Sequence, residues 1–197
     1  MEGVKQVVTL TEKSIVGVAL ADGKLLWQIP FVPQGRAYNA TTPIVDGQTV
    51  YVTGSGRGTK ALKIEKAGEA FTATELWTNA DLACQFCTPV LEGGLLFSVS
   101  DKGNLFCLNA ATGQAAWTDA TAHGRGFGAM VVAGGLIFAL PPDSQLLVFK
   151  PVADAYQEVA KYNVAEKENA ETYAHPALSG KSIFIKGPDA VTLWTVG

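Results

Sequence analysis

The sequence predicts an all-β protein, a β-propeller segment of about four to five four-stranded antiparallel blades. Three observations carry this. Short alternating apolar runs are bounded by glycine turns throughout the 197 residues. An inner-strand signal recurs as Pro43-Ile-Val-Asp-Gly47, Pro89-Val-Leu-Glu-Gly93, Met130-Val-Val-Ala-Gly134 and Pro176-Ala-Leu-Ser-Gly180, at intervals of 46, 41 and 46 residues. An outer-strand signal recurs in phase with it, as Asp22-Gly-Lys-Leu-Leu-Trp27, Glu75-Leu-Trp77, Thr112-Gly-Gln-Ala-Ala-Trp117 and, more weakly, Glu158-Val-Ala160. A four-stranded module at a period of ~40–50 residues is a propeller blade, which buries its two faces against its neighbours.

Thr88 to Trp117 shows the unit most clearly. A strand ends at Glu92-Gly93-Gly94, where a hairpin turn needs positive φ, and Leu95–Ser100 follows as a second strand. After Asp101-Lys102-Gly103 the run from Leu105 to Asn109 is apolar on both alternating faces, as in a strand inside packed layers. Ala111-Thr112-Gly113 turns the chain into the outermost strand, begun by Gln114–Trp117.

Taken in order, the blades occupy approximately residues 5–30, 41–79, 86–120, 128–164 and 173–197, in one continuous domain. The first holds strands two to four only. In the second, Gly54-Ser-Gly-Arg-Gly58 replaces the usual short turn, and Lys66–Ala73 reads as an insertion before Glu75-Leu-Trp77. Phe31–Ala40 and Thr118–Phe127 read as connectors, Pro151–Gln157 as a further insertion, and the charged run 165–172 as a solvated connector or one helical turn. The fifth blade holds strands one to three. Two of its strands would be duplicated if both ends belonged to one blade, so the chain reads as roughly the carboxy-terminal half of a larger propeller. The other half lies upstream or comes from a second copy. Open end blades, with apolar surface around Val8, Ile15, Ile183 and Leu193, predict self-association, as a two-fold dimer completing or capping the ring, or else aggregation.

Composition narrows the function classes. Hydrophobic residues make up 48% and charged residues 17%, far from a disordered composition. A net charge of −3 leaves no electrostatic footprint for nucleic acid. No apolar run reaches the ~20 residues of a membrane-spanning helix. MEGVKQVVTL has no basic segment followed by an apolar core, so it does not read as a secretory signal. Three cysteines imply no disulfide framework.

The stretch Leu108-Asn-Ala-Ala-Thr-Gly-Gln-Ala-Ala-Trp117 resembles the tryptophan-docking repeat of the pyrroloquinoline-quinone (PQQ)-type propellers, whose pattern is close to A-x-D-x-x-T-G-x-x-x-W. Asn109 stands at the aspartate position. Ala19–Trp27 is a looser copy, with Asp22 where the threonine belongs. Trp27, Trp77, Thr112, Gly113 and Trp117 are therefore identified as the structural repeat residues. The resemblance implies a tryptophan lying flat between blades, with the Thr-Gly turn bringing hydrogen-bonding groups to it. It also implies one of two functions. One is a non-catalytic propeller serving as a binding or scaffold module, with a protein partner or small ligand at the central funnel and no cofactor. The other is the carboxy-terminal half of a quinoprotein dehydrogenase that oxidises alcohols or sugars with PQQ and calcium. No adjacent cysteine pair is present, and no residue aligns with the dehydrogenases' base or calcium ligands, which favours the first. The resemblance further implies work in the periplasm or cell envelope, whereas a true start at Met1 would make the protein cytoplasmic.

Several residues invite chemistry. Cys84-Gln-Phe-Cys87 has C-x-x-C spacing, but a zinc site needs about four ligands and a redox pair normally opens a helix. Leading into an inner strand, these cysteines read as small semi-buried residues, and Cys107 as a core residue. Gly54-Ser-Gly-Arg-Gly-Thr-Lys60 lacks phosphate-loop spacing and precedes a strand, so it reads as a turn. Arg57 and Arg125 sit among glycines, placed to meet a ligand or water. His123 and His175 precede inner strands, where they could line the funnel mouth or make ordinary hydrogen bonds.

Overall fold

A computed structural model describes residues 1, 3–124, 126–164 and 173–195. Among them every regular element is a strand. The chain divides into two compact units, Met1–Gln85 and Phe86–Gly197. The first holds β1 (Gln6–Leu10), β2 (Ser14–Ala19) and β3 (Leu25–Pro30) as sheet one. Sheet two is β4 (Ile44–Asp46), β5 (Thr49–Gly54), β6 (Gly58–Ala67) and β7 (Ala70–Asn79). The second unit holds sheet three, β8 (Val90–Glu92), β9 (Leu95–Val99), β10 (Asn104–Asn109) and β11 (Ala115–Ala122). Sheet four is β12 (Ala129–Ala133), β13 (Leu136–Leu140), β14 (Gln145–Phe149) and β15 (Glu158–Asn163). Sheet five is β16 (Ala177–Ser179), β17 (Ser182–Lys186) and β18 (Val191–Thr195). Every pairing between named strands is antiparallel and sequential. The architecture is the expected propeller segment, with three strands in the first and fifth sheets.

The repeat holds at the level of single hydrogen bonds. In sheet three, Gly113 N–H donates to Asn109 O (2.8 Å), Asn109 N–H to Gln114 O (2.8 Å) and Ala110 N–H to Gly94 O (2.9 Å). In sheet one, Gly23 N–H donates to Ala19 O (2.9 Å), Ala19 N–H to Lys24 O (2.8 Å) and Leu20 N–H to Lys5 O (2.9 Å). At the aspartate position, the Asn109 side-chain oxygen accepts from the N–H groups of Ala111 and Thr112, each at 3.0 Å. Asparagine's amide carbonyl accepts these as a carboxylate would, which closes the turn without a charge. Asp22, at the threonine position, accepts from Lys24 N–H (3.0 Å) as Thr112 Oγ1 does from Gln114 N–H (3.3 Å).

A bulge recurs in the outermost strand pairing of sheets one to four. It follows Gly17, Ala61, Cys107 and Val148, which face Trp27, Trp77, Trp117 and Ala160. In three of the pairs a small residue faces the indole. Gly17 faces an indole so closely that a Cβ there would lie 2.1 Å from Trp27 Nε1. Where the tryptophan is replaced by Ala160, the facing residue is the larger Val148. We call the face carrying this pair the front of each sheet.

Within each unit a front packs on the opposite face, the back, of the next sheet. In the first unit Val8 and Trp27 of sheet one join Val50, Leu62, Ile64 and Phe71 of sheet two in one cluster. In the second unit Phe97 and Trp117 of sheet three meet Phe149 of sheet four at centroid distances of 6.1 and 6.2 Å. Phe138, Leu146 and Val148 then pack with Ile183 and Ile185 of sheet five. The Trp117 indole N–H donates to Val152 O (2.9 Å), where the resemblance implied the Thr-Gly turn as its partner. The Trp27 indole N–H goes to Gln6 Oε1 (2.8 Å).

Two expectations change. Lys66–Ala73 is no loose insertion: β6 and β7 stay paired from Thr59↔Asn79 out to Ala67↔Ala70. Phe71 on that extension is buried in the first unit's core, so apolar alternation continues past the charged residues. Ile15 and Ile183 are not exposed end-face residues but are 0% and 4% exposed. In a strand, parity decides which neighbours face the core, and both lie on the inward set. Leu193 is exposed as expected, and Val8 packs against the first unit's core cluster. The outer strand of sheet three also runs on to Ala122 inside the expected connector. The charged run 165–172 lies outside the described residues.

Candidate functional site

In the first unit the connector after sheet one is tied down by Arg57. Its guanidinium lies 4.2 Å over the Phe31 ring. It donates to Phe31 O (3.1 Å), Tyr38 O (3.3 Å) and Asn39 Oδ1. The Asn39 amide donates in turn to Thr11 O (2.8 Å), Glu12 O (3.2 Å) and Phe31 O (3.0 Å). Burial lowers the Arg57 pKa, and its fork stays protonated and fully directional. Beside this network lies an open cleft of about 530 Å³, lined by Leu10, Lys13, Val32, Pro33 and Tyr38 among others. Val32 and Tyr38 present 53% and 64% of their surface to solvent.

Cys84 and Cys87 are fully buried, and neither they nor Cys107 is in a disulfide. Cys84 belongs to the first unit, where its backbone N–H donates to Thr53 Oγ1 (3.0 Å). Cys87 opens the second unit and accepts from the Ser98 hydroxyl at 3.4 Å. Burial pushes the Cys87 thiol up, against the hydrogen bonds from Ser98 and Val99 backbone, and pushes Cys107 up to about 12. Thiols this far above neutral carry little thiolate. Cys87 also stands 46 residues after Thr41, whose hydroxyl donates to Thr53 O (2.8 Å). Both positions anchor the entry to an inner strand.

His123 follows β11 and is buried, held between two carboxylates. Its Nδ1 lies 3.3 Å from Asp143 Oδ2 and its Nε2 3.3 Å from Asp119 Oδ2. Asp119 comes from β11 itself, Asp143 from the turn between β13 and β14, so the ring clips sheet three to sheet four. The hydrogen bond to Asp143 is the largest influence on its pKa. With Asp119 adding to it, this raises the imidazole against the opposing effect of burial. The protonated ring donates from both nitrogens and completes the clip. His175 is exposed, well away from this arrangement in sequence. Arg125 lies outside the described residues. Arg57 and His123 fall in different units, each engaged with its own connector.

A feature the candidate residues did not include lies just ahead of the inner strands of the second unit. Phe86 and Phe127 stack at 4.8 Å with planes 10° apart and share a parallel backbone bridge. Tyr173 meets Phe127 edge-on at 5.4 Å. Phe86 and Tyr173 are 39% and 60% exposed. All three stand three residues before the recurring inner-strand marker (Pro89, Met130 and Pro176), and the first copy has Ala40 there. The repeat alignment alone therefore contains the signal.

Calcium takes six to eight oxygen ligands. Among the described residues no group of three or more His, Cys, Asp or Glu is placed to hold a metal ion, and His123 already fills the space between Asp119 and Asp143.

Residues 66–156 match a family model described as "Outer membrane protein assembly factor BamB". No curated protein matches the chain. Among solved structures, BamB from Moraxella catarrhalis is similar over 100% of this chain and 71% of its own, with TM-score 0.54 and 16% identity. The computationally designed Ika8 protein matches over 95% of this chain and 57% of its own (TM-score 0.64, 15% identity). The Cps50 (Swd1) β-propeller domain of Myceliophteria thermophila matches over 96% and 65% (TM-score 0.66, 14% identity). The chain thus spans from just over half to about seven-tenths of these structures. At such identities the likeness establishes the propeller fold.

Proposed function

From the premise that the chain is built of PQQ-like propeller repeats, we propose that it is a non-catalytic binding module. Its protein partner docks on the face where the inner strands begin. The observation that carries this is the aromatic row of Phe86, Phe127 and Tyr173. Aromatic rings with exposed faces supply large contact area at low entropic cost and are enriched where partners bind. They stand on segments held by a rigid sheet scaffold, as binding residues usually do. The polar candidates are spent internally: Arg57 on its connector, His123 on its two aspartates, Cys84 and Cys87 on buried hydroxyls. A working place in the cell envelope is supported by the printed description of the matching family.

A photo-crosslinking residue at Tyr173 or Phe86, in cells that express the protein, tests this reading. One discrete crosslinked protein at both positions, absent when the label sits at Val159 on β15, is the expected outcome. Titration of the purified chain with PQQ and calcium tests the dehydrogenase alternative. Stoichiometric tight binding with dye-linked alcohol or sugar oxidation would displace the scaffold reading.

A further inference from the structure

We propose that His123 positions the aromatic row according to its protonation: the doubly protonated ring holds Phe127 in its stack on Phe86, and loss of one proton to solvent releases Phe127. Geometry carries this. Phe127 ends the connector that His123 begins, and Gly124 and Gly126 between them bring no side chains to anchor the stretch. His123 fastens it at three points. Its backbone N–H donates to Gly103 O (2.9 Å), on the turn between β9 and β10. Its ring reaches Asp119 on β11 and Asp143 on the turn between β13 and β14. The connector then runs over that same turn, where a Cβ on Gly124 would lie 3.1 Å from Pro142 Cγ. Phe127 follows, stacked on Phe86 with Tyr173 edge-on against it.

The clip depends on the number of protons. Each ring nitrogen faces a carboxylate oxygen at 3.3 Å. An imidazolium donates from both nitrogens, whereas a neutral ring donates from one and turns a lone pair on the other carboxylate. Asp143 is the side that opens. Its side chain is 33% exposed against 15% for Asp119, so water replaces its lost hydrogen bond at lower cost. The break therefore falls on the turn that supports the connector on its way to Phe127. The other charged or titratable groups on the packed elements are Asp101 and Lys102 on the β9–β10 turn, and Tyr156 within electrostatic reach of Asp119. Tyr156 donates to Glu158 Oε2 (3.0 Å), and Arg125 belongs to the connector itself. None of these is a histidine, the side chain whose ordinary pKa lies between pH 5 and 8. The hydrogen bond to Asp143 is the largest influence raising the His123 pKa, so the row is assembled at its ordinary pKa and loosens as pH rises through the folded value.

The consequence for docking rests on the proposed binding role, but the movement of Phe127 does not. Replacing Phe127 by 4-fluorophenylalanine in the purified full chain gives a probe that needs no partner. Its fluorine resonance is expected to move toward that of the free amino acid as pH rises, with the same midpoint as the His123 imidazole protons. His123→Gln should abolish this transition. Asp143→Asn keeps the oxygen that accepts from Gln145 N–H and places an amide donor opposite the neutral ring. The fluorine signal of that variant should stay at its stacked position at alkaline pH while the imidazole midpoint falls. A resonance indifferent to pH would overturn the proposal, as would a transition left unchanged by Asp143→Asn. Crosslinking through Tyr173 in permeabilised cells reads the effect on docking. The yield of the crosslinked partner should fall about threefold or more from about pH 6 to about pH 8.5, because apparent affinity scales with the fraction of molecules whose row is assembled. A constant yield beside a clear fluorine transition would overturn control of docking by His123. No crosslink at any pH beside that transition would remove the docking role and still support the switch.

Discussion

Protonation of the His123 ring adds to the packing that fastens sheet three to sheet four. His123 is held above its usual pKa, chiefly by the hydrogen bond to Asp143 and further by Asp119, with burial opposing. A group whose folded pKa is raised contributes stability that is fully present below its unfolded value. That contribution is lost as pH rises through the folded value. His123→Gln should therefore cost more at pH near 6 than in mildly alkaline buffer, by about 1–3 kcal/mol at the acidic end, as for charged hydrogen bonds. Thermal melts of the two proteins across that range check it, and a constant difference would sink the assignment. The histidine was legible as a connector residue, but its partners were not. Asp119 looked like connector, and Asp143 belongs to a turn twenty residues further on that only the folded register brings near. Arg57 was read as facing ligand or water because its sequence neighbours are glycines. The Phe31 ring it covers lies 26 residues back, beyond what local spacing reveals.

At the scale of elements, the repeat phase located the inner strands and turns because those depend on glycines and alternation that survive in each copy. Turn geometry explains why. A Cβ on Gly103, at φ 89°, would lie 1.9 Å from the Gly124 carbonyl oxygen, so the position combines left-handed backbone with close approach of the outgoing connector. Gly103→Ala should cost at least about 1–2 kcal/mol from backbone strain alone, measurable by urea unfolding; a neutral result would mean that the connector can retreat. The extended hairpin of β6 and β7 was hidden by Glu65, Lys66 and Glu69, whose charges look like those of a loop, although Phe71 keeps the inward parity. Phe71→Ala is expected to destabilise the first unit by about 3–5 kcal/mol, as for a buried phenylalanine. A decorative hairpin would lose almost nothing in the same unfolding measurement.

Across the whole molecule the sheets repeat a relation more faithfully than they repeat residues. The expectation of exposed end faces was right in kind, while parity decided which residues lie on them, and the sequence pattern is apolar on both sets. The pairs beside the bulges show the relation best: Gly17 with Trp27, Ala61 with Trp77, Cys107 with Trp117, Val148 with Ala160. Either single change in the first pair should be costly. Trp27→Ala removes about 3–5 kcal/mol of buried indole, and Gly17→Val drives methyls into the ring. Made together they should interfere less, with a favourable coupling of about 1–3 kcal/mol in a double-mutant cycle; strict additivity would refute it. What recurs from blade to blade is then a contact beside a bulge, in which a small residue faces an indole in three sheets and a valine faces an alanine in the fourth. Such a contact ties the choice of residue at one position to the residue across the strand rather than to its neighbours along the chain. It also makes the pair the smallest part that could be transplanted from one blade to another and still fit.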